Sequence, residues 1–270
     1  MKSIPGGPFI NRCSSLTILI PAHNEGDLVS DCIKSLIEMN IPSEICNVDI
    51  VVVDDRSEDG TKDIAEAAGA RVMRKNFRGD YASAISETVA FGVENTEGDL
   101  ILKCDADIQN IPKNALEILY LNLKDDVKRV SSEVITKTKQ NNLFLDFLFF
   151  LRHINYKISY NKQPRGAFTL FERNTVNAIG GFDKTKPTWD TAFDQSIRAR
   201  GWKVKLIGDL IVTEKRNFTV KRLVDHQISS GRSRRRLGIG FLRTLSHSIF
   251  RLRLFVLWGY LDEVWNERRK

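Results

Sequence analysis

Four short apolar runs, separated by stretches with helical spacing, restrict the first hundred residues to a single fold type. Leu16 to Ile20 reads as a buried strand, and Val48 to Val53 as a second one rich in β-branched residues. Shorter strands are expected at Ala70–Met73 and Asp99–Lys103, with helices near 27–39, 60–69 and 80–93. Leu28, Cys32, Ser35, Leu36 and Met39 form one such helical stripe. Strand–helix alternation of this kind predicts a mainly parallel sheet with helices on both faces. Ligands of such sheets sit at the carboxyl ends of the strands, near the point where strand order reverses.

Composition agrees with a globular chain. With 42% hydrophobic and 28% charged residues over 270 positions, collagen-like, mucin-like and wholly disordered chains are excluded. The four cysteines (Cys13, Cys32, Cys46, Cys104) are too few and too irregularly spaced for a disulfide framework, and no C-x-x-C pair marks a zinc site. A reducing, cytoplasmic setting is expected. Residues 1–15 lack the apolar run of a signal peptide, and no uninterrupted apolar stretch is long enough to span a bilayer. The net charge of +7 is uneven, because from Lys215 onward 14 Lys or Arg oppose 4 Asp or Glu. A basic end on a mildly acidic body implies an anionic partner: nucleic acid, a lipid surface or a phosphorylated ligand.

The unusual residues stand at the strand ends. The first strand runs into Pro21-Ala-His-Asn-Glu25, the second into Asp54-Asp-Arg-Ser-Glu-Asp-Gly60, and the fourth into Asp105-Ala106-Asp107. Residues two apart on an extended backbone share a side, so Asp105 and Asp107 present two carboxylates together. Such a pair repels unless a cation joins it. A hard divalent ion, Mg²⁺ or Mn²⁺, bridged to a diphosphate satisfies that arrangement; a solvated acidic loop is the plainer alternative.

The second half is less regular. A helix is expected over 141–160, a strand over 165–171, a helix over 190–200, a strand over 203–207, and arginine-rich helical pieces from about 219.

The order of these motifs resembles the family 2 glycosyltransferases of GT-A fold. The resemblance continues in Gly180-Gly-Phe-Asp183, in Thr188-Trp-Asp190 and in Ile197-Arg-x-x-Gly201-Trp-Lys-Val204, and it spans roughly residues 16–215. It implies a Rossmann-like GT-A catalytic domain over 1–215, followed by a basic helical extension over 216–270. It also implies inverting transfer of a sugar from a UDP- or GDP-linked donor to a lipid-linked or glycan acceptor. On that basis Pro21, Ala22, Asn24 and Glu25 line the base and ribose, although Asn24 can equally cap the following helix. Asp54 and Asp55 match the acidic pair that meets the base, and alternation favours Asp55 if Val51 and Val53 share its face. Asn76, Arg78 and Gly79 fall where the family covers the nucleotide. Asp105 and Ala106 meet ribose or metal, and Asp107 is the firmest metal ligand.

Thr188-Trp-Asp190 departs from the family, which usually has glutamate where Trp189 stands. Asp190 aligns with the general base that takes the acceptor's proton, and Asp194, one turn later, is the runner-up. His226 is an additional metal-ligand candidate or a packing residue, and Arg232 or Arg234 can neutralise the leaving diphosphate. Ser230 breaks the Gln-x-x-Arg-Trp signature of processive relatives, which disfavours a chitin- or cellulose-type polymerase.

Residues 237–265 mix long apolar side chains with Arg243, Arg251 and Arg253, a pattern better suited to lying in a membrane interface than to crossing it. Packing on the domain or on a second subunit is the alternative. The expected location is therefore the inner face of a membrane. Since every acidic motif precedes Leu237, the donor site is expected to be complete without the last helices. A nucleotidyltransferase of related sheet architecture is a rival reading, though no G-x-G-T-R-type loop follows the first strand. A nucleic-acid-binding protein explains the arginines but leaves the acidic strand ends without purpose.

Overall fold

The computed structural model describes residues 13–138, 164–216, 220–251 and 253–267, together with isolated positions at 143, 147, 149, 150 and 154. Most of the helix expected over 141–160 lies outside the described residues. The first half alternates β1 (Ser14–Ala22), α1 (Gly26–Ile37), β2 (Ile45–Asp54), α2 (Thr61–Ala67), β3 (Arg71–Arg74), α3 (Ala84–Glu94) and β4 (Leu100–Cys104). There follow β5 (Ile108–Gln109), α4 (Ala115–Asn122), β6 (Val127–Thr138), β7 (Phe168–Glu172), α5 (Arg173–Ile179), α6 (Trp189–Ala199) and β8 (Lys203–Arg216). Three helices close the described chain: α7 (Val220–Arg236), α8 (Phe241–Phe250) and α9 (Leu254–Glu267).

Eight strands form one mixed sheet in the order β3-β2-β1-β4-β7-β6-β8-β5. β1, β2, β3 and β4 pair in parallel, and β7 runs antiparallel between β4 and β6. The chain leaves β1 toward β2 and β3, then returns through α3 to place β4 on the other side of β1. That reversal opens a crevice at the carboxyl ends of β1 and β4. Helices cover both faces, which is why these strands read as continuous apolar runs. Ile18, Ile20, Val52 and Leu102 point to the face packed by α1. Leu19, Val51, Val53, Ile101 and Phe171 meet α3 and α6 on the other.

Two features differ from the sequence expectation. β8 extends to Arg216, and β6, whose Val127, Val130, Val134 and Ile135 are scattered among polar residues, stands where no strand is expected. Cys13 and Cys46 also form a disulfide, with Cα atoms 5.7 Å apart. Their separation of 33 residues conceals it, since the pairing arises from adjacency at the starts of parallel β1 and β2. The spacing that argues against a disulfide framework thus hides one pair, and Cys32 and Cys104 are free thiols.

α7 and α9 form a helical pair closed by ion pairs from Arg232 to Asp262, Arg235 to Glu267 and Arg236 to Glu263. The helices touch through glycines. A Cβ at Gly231 would collide with the Val256 carbonyl, and one at Gly259 with the Ile228 carbonyl. Gly231→Ala should force the helices apart and destabilise the protein by about 1–3 kcal/mol, the usual range for overpacking. An unchanged denaturation midpoint would show that this crossing does not contribute.

Candidate active site

A cavity of about 630 Å³ opens at the reversal of strand order. At one end stand Pro21, Ala22, His23 and Glu25 from the end of β1, with Asp55 from the end of β2. Asn24 is absent from this wall and caps no helix. It sits at φ 54° beside the turn after β2, where its amide donates to Ser57 Oγ (2.9 Å) and its Oδ1 accepts from the Glu58 amide (2.9 Å). Val51 and Val53 do share a face, and Asp55 faces the cavity while Asp54 lies fully buried. Asp54 accepts from the Ser57 amide at 3.1 Å and shapes the turn.

The Asp55 carboxylate accepts from Arg56 Nε (2.8 Å), Lys75 Nζ (3.3 Å) and Thr88 Oγ1 (3.2 Å). Burial pushes its pKa up, but Arg56 and Lys75 outweigh burial and hold it below the ordinary aspartate value. Lys75, fully buried, also pairs with Glu87 at 3.3 Å. Arg78 and the Gly79 amide bind Glu87 too, so the segment after β3 is folded onto α3 and neither residue lines the cavity.

The metal-binding candidates converge. Asp105 and Asp107 follow β4, and β5 pairs Ile108 with Glu214 of β8, bringing a third carboxylate to the same point. Oxygens of Asp105, Asp107 and Glu214 lie within 4.8 Å of one another, and Thr136 Oγ1 holds Glu214 at 2.7 Å. Three close carboxylates are a donor set for a hard divalent ion. Glu214 escaped the sequence reading because only strand register reveals it. His226 lines the same cavity but lies outside this trio, with Arg253 Nη2 3.4 Å from its Nδ1. Lys103, buried at the end of β4, forms an ion pair with Asp105 and donates to the Gly166 carbonyl at 2.8 Å.

Asp190 and Asp194 separate clearly. Asp190 lines the cavity at the start of α6, where Gly166 N donates to Oδ2 (3.0 Å) and Thr191 N to Oδ1 (2.7 Å). Asp194 faces inward and forms an ion pair with fully buried Arg129. Burial pushes its pKa above the ordinary aspartate value despite Arg129. It is a structural partner, withdrawn from the cavity. Trp189 is buried against Phe171 and Phe182, its centroid 6.2 and 5.9 Å from theirs.

Arg232 does not reach this site, because Asp262 engages it at 2.8 Å. Arg234 is turned into the helical extension, and burial lowers its pKa to about 10 with help from Arg243 and Arg251. The cation that enters the cavity wall from the extension is Arg253. Part of the cavity wall therefore comes from beyond Leu237.

Residues 17–186 match the family described as glycosyl transferase family 2. The chain belongs to that family. It is 26% identical over 229 residues to a probable glycosyltransferase, YdaM, of Bacillus subtilis, covering 76% of this chain and 52% of YdaM. It is 31% identical over 102 residues to an undecaprenyl-phosphate 4-deoxy-4-formamido-L-arabinose transferase of Edwardsiella ictaluri, covering 36% and 30% of the two chains. The chain spans about half or less of the length of such relatives. Among solved structures, it resembles the mannosyltransferase PcManGT of Pyrobaculum calidifontis, in complex with GDP-Man and Mn²⁺. The TM-score is 0.62 at 17% identity, covering 93% of this chain and 71% of that one. A Mycobacterium tuberculosis glucosyl-3-phosphoglycerate synthase with Mn²⁺ and UDP-glucose gives a TM-score of 0.57 at 16% identity, covering 88% and 86%. These structures share the GT-A fold.

The cluster beside Asp55 has a definite pH signature. Burial raises the Glu87 pKa, but the Gly79 amide, Lys75 and Arg78 outweigh it and hold Glu87 below the ordinary glutamate value. Stability from a depressed carboxylate is complete above its unfolded value of about 4.3 and is lost as pH falls through the folded value. Urea midpoints of the parent and Glu87→Gln should therefore differ at neutral pH and converge toward about pH 3. A gap that persists in acid would contradict this assignment.

Proposed function

We propose that this family 2 glycosyltransferase moves a sugar, with inversion, from a UDP- or GDP-linked donor to a hydroxyl or phosphate of a lipid-linked acceptor, with Mn²⁺ or Mg²⁺ bound. The observation that carries the reading is one cavity lined by Asp55, by the Asp105–Asp107–Glu214 trio and by Asp190. The Asp55 carboxylate is an acceptor for N–H groups of the base. Asp105, Asp107 and Glu214 would hold the metal ion, which when bound supplies positive charge to the departing diphosphate. Arg253, on the same wall, adds a fixed cation for that charge. Asp190 takes the proton of the acceptor hydroxyl, its carboxylate held in place by two backbone amides. If the acceptor is a phosphate, already ionised, that base matters less.

The lipid-linked acceptor is supported by the extension and by the undecaprenyl-phosphate transferase relative. Leu254, Trp258, Leu261 and Trp265 are exposed and recur at helical spacing along one face of α9, and Leu242, Ile249 and Phe250 are exposed on α8. No described helix is long and apolar enough to cross a membrane. An apolar stripe flanked by arginines fits the anionic surface of an inner membrane leaflet. The disulfide withdraws the cysteines as support for a reducing compartment, so the inner-face location rests on this surface alone.

Hydrolysis of UDP- and GDP-sugars with and without Mn²⁺ should identify the donor. Asp107→Ala or Glu214→Ala should abolish Mn²⁺-dependent tightening of UDP or GDP binding in calorimetry, and equal binding in a variant removes that residue from the site. Asp190→Asn should keep donor binding while turnover falls by about two to four powers of ten. The chain should sediment with phosphatidylglycerol vesicles, less so at high salt. Trp258→Ser combined with Trp265→Ser should abolish that binding; sedimentation that survives the pair removes α9 from the lipid surface.

A further inference from the structure

We propose that Arg129 is a positioning residue for Asp190, acting through a two-residue strap, Arg165–Gly166, that passes directly behind the base. The inference rests on the reading of Asp190 as the general base. Arg129 stands on β6 with no solvent exposure, and its guanidinium does far more than neutralise Asp194. Nη2 donates to the Arg165 carbonyl at 2.9 Å, Nη1 reaches the Asp190 carbonyl at 3.5 Å, and Nε donates to Thr169 Oγ1 at 3.0 Å. One planar group therefore joins β7, the strap and the first turn of α6. A lysine ammonium at the end of a flexible chain cannot make these bonds together.

The strap is clamped from the other side as well. Lys103 Nζ donates to the Gly166 carbonyl at 2.8 Å while forming an ion pair with Asp105. The indole of Trp189 lies between the two cations, with Lys103 Nζ and Arg129 Cζ each 5.5 Å from the ring. With both carbonyls fixed, the Gly166 amide is aimed at Asp190 Oδ2 at 3.0 Å. There is no slack in the seat. A Cβ on Gly166 would stand 2.6 Å from Trp189 Cζ2 and 2.8 Å from Asp190 Cβ. A shift of about 1 Å in the strap therefore moves or releases the base, and displacements of that size can cost about a hundredfold in rate. The same strap links the base to the metal end of the site, since Lys103 touches both Gly166 and Asp105.

Two variants separate positioning from charge balance. Arg129→Lys keeps a cation for Asp194 but loses the fork that reaches the strap. Arg129→Met with Asp194→Leu removes the ion pair without leaving a buried charge, so it preserves the fold if the lysine variant does not. In both, hydrogen exchange at the Gly166 amide should accelerate by about tenfold or more, with the β4 amides unchanged. Turnover of whichever of UDP-glucose and GDP-mannose the parent hydrolyses with Mn²⁺ should fall by about tenfold to a hundredfold. The KM for that donor should stay within about twofold. Parent-like exchange and turnover in Arg129→Lys overturn the proposal, because neutralising Asp194 then suffices. If Asp190→Asn leaves turnover intact, the base assignment fails instead, whatever the exchange at Gly166 reports.

Discussion

Among the described residues, three of the largest fully buried side chains are cations: Arg129, Lys75 and Lys103. Stripping an ammonium or guanidinium of water costs several kcal/mol unless carboxylates and hydrogen-bond acceptors replace the lost solvent. Here each partner carboxylate belongs to the cavity or stands immediately behind it. Lys75 holds Asp55 after β2, Lys103 holds Asp105 of the acidic trio, and Arg129 holds Asp194 one turn beyond Asp190. The acidic rim is thus anchored and oriented from inside the sheet by groups that water does not reach.

That anchoring explains the departure at Trp189. A glutamate there would put a fourth negative charge beside Asp105, Asp190 and Asp194 and compete with them for Lys103 and Arg129. An indole presents the negative face of its ring to both cations without competing for their donors. It also extends the aromatic cluster of Phe171, Phe182 and Phe193 to the cavity wall. Trp189 contributes no carboxylate to the cavity, so with Asp194 sealed against Arg129 the one α6 carboxylate that lines it is Asp190.

How much of this was readable beforehand depended on whether local pattern or register carried the signal. β1, β2 and β4 announced themselves because both faces are buried, and their acidic ends followed from the strands. β6 was silent because it buries Arg129, Ser131 and Glu133, residues that read as a solvated loop. Glu214 has no motif; its place follows from the pairing of Ile108 with β8. Asp190 and Asp194 share a helical face, and what separates their surroundings is an arginine on a distant strand. The Cys13–Cys46 bridge likewise depends on strand adjacency. In each missed case the deciding partner lies far away in sequence.

The extension cannot be treated as an independent appendage. Its arginine run is consumed largely in holding α7 to α9, which leaves less free cationic surface than the sequence implies and weakens the case for nucleic acid. What it offers instead is position. Arg253 stands in the cavity wall beside His226, and the next residue, Leu254, begins the exposed stripe of α9. The stripe therefore begins one residue from the cavity wall. For a lipid surface this geometry has a direct consequence: an acceptor anchored by its apolar tail would present its polar head beside Arg253 without leaving the interface.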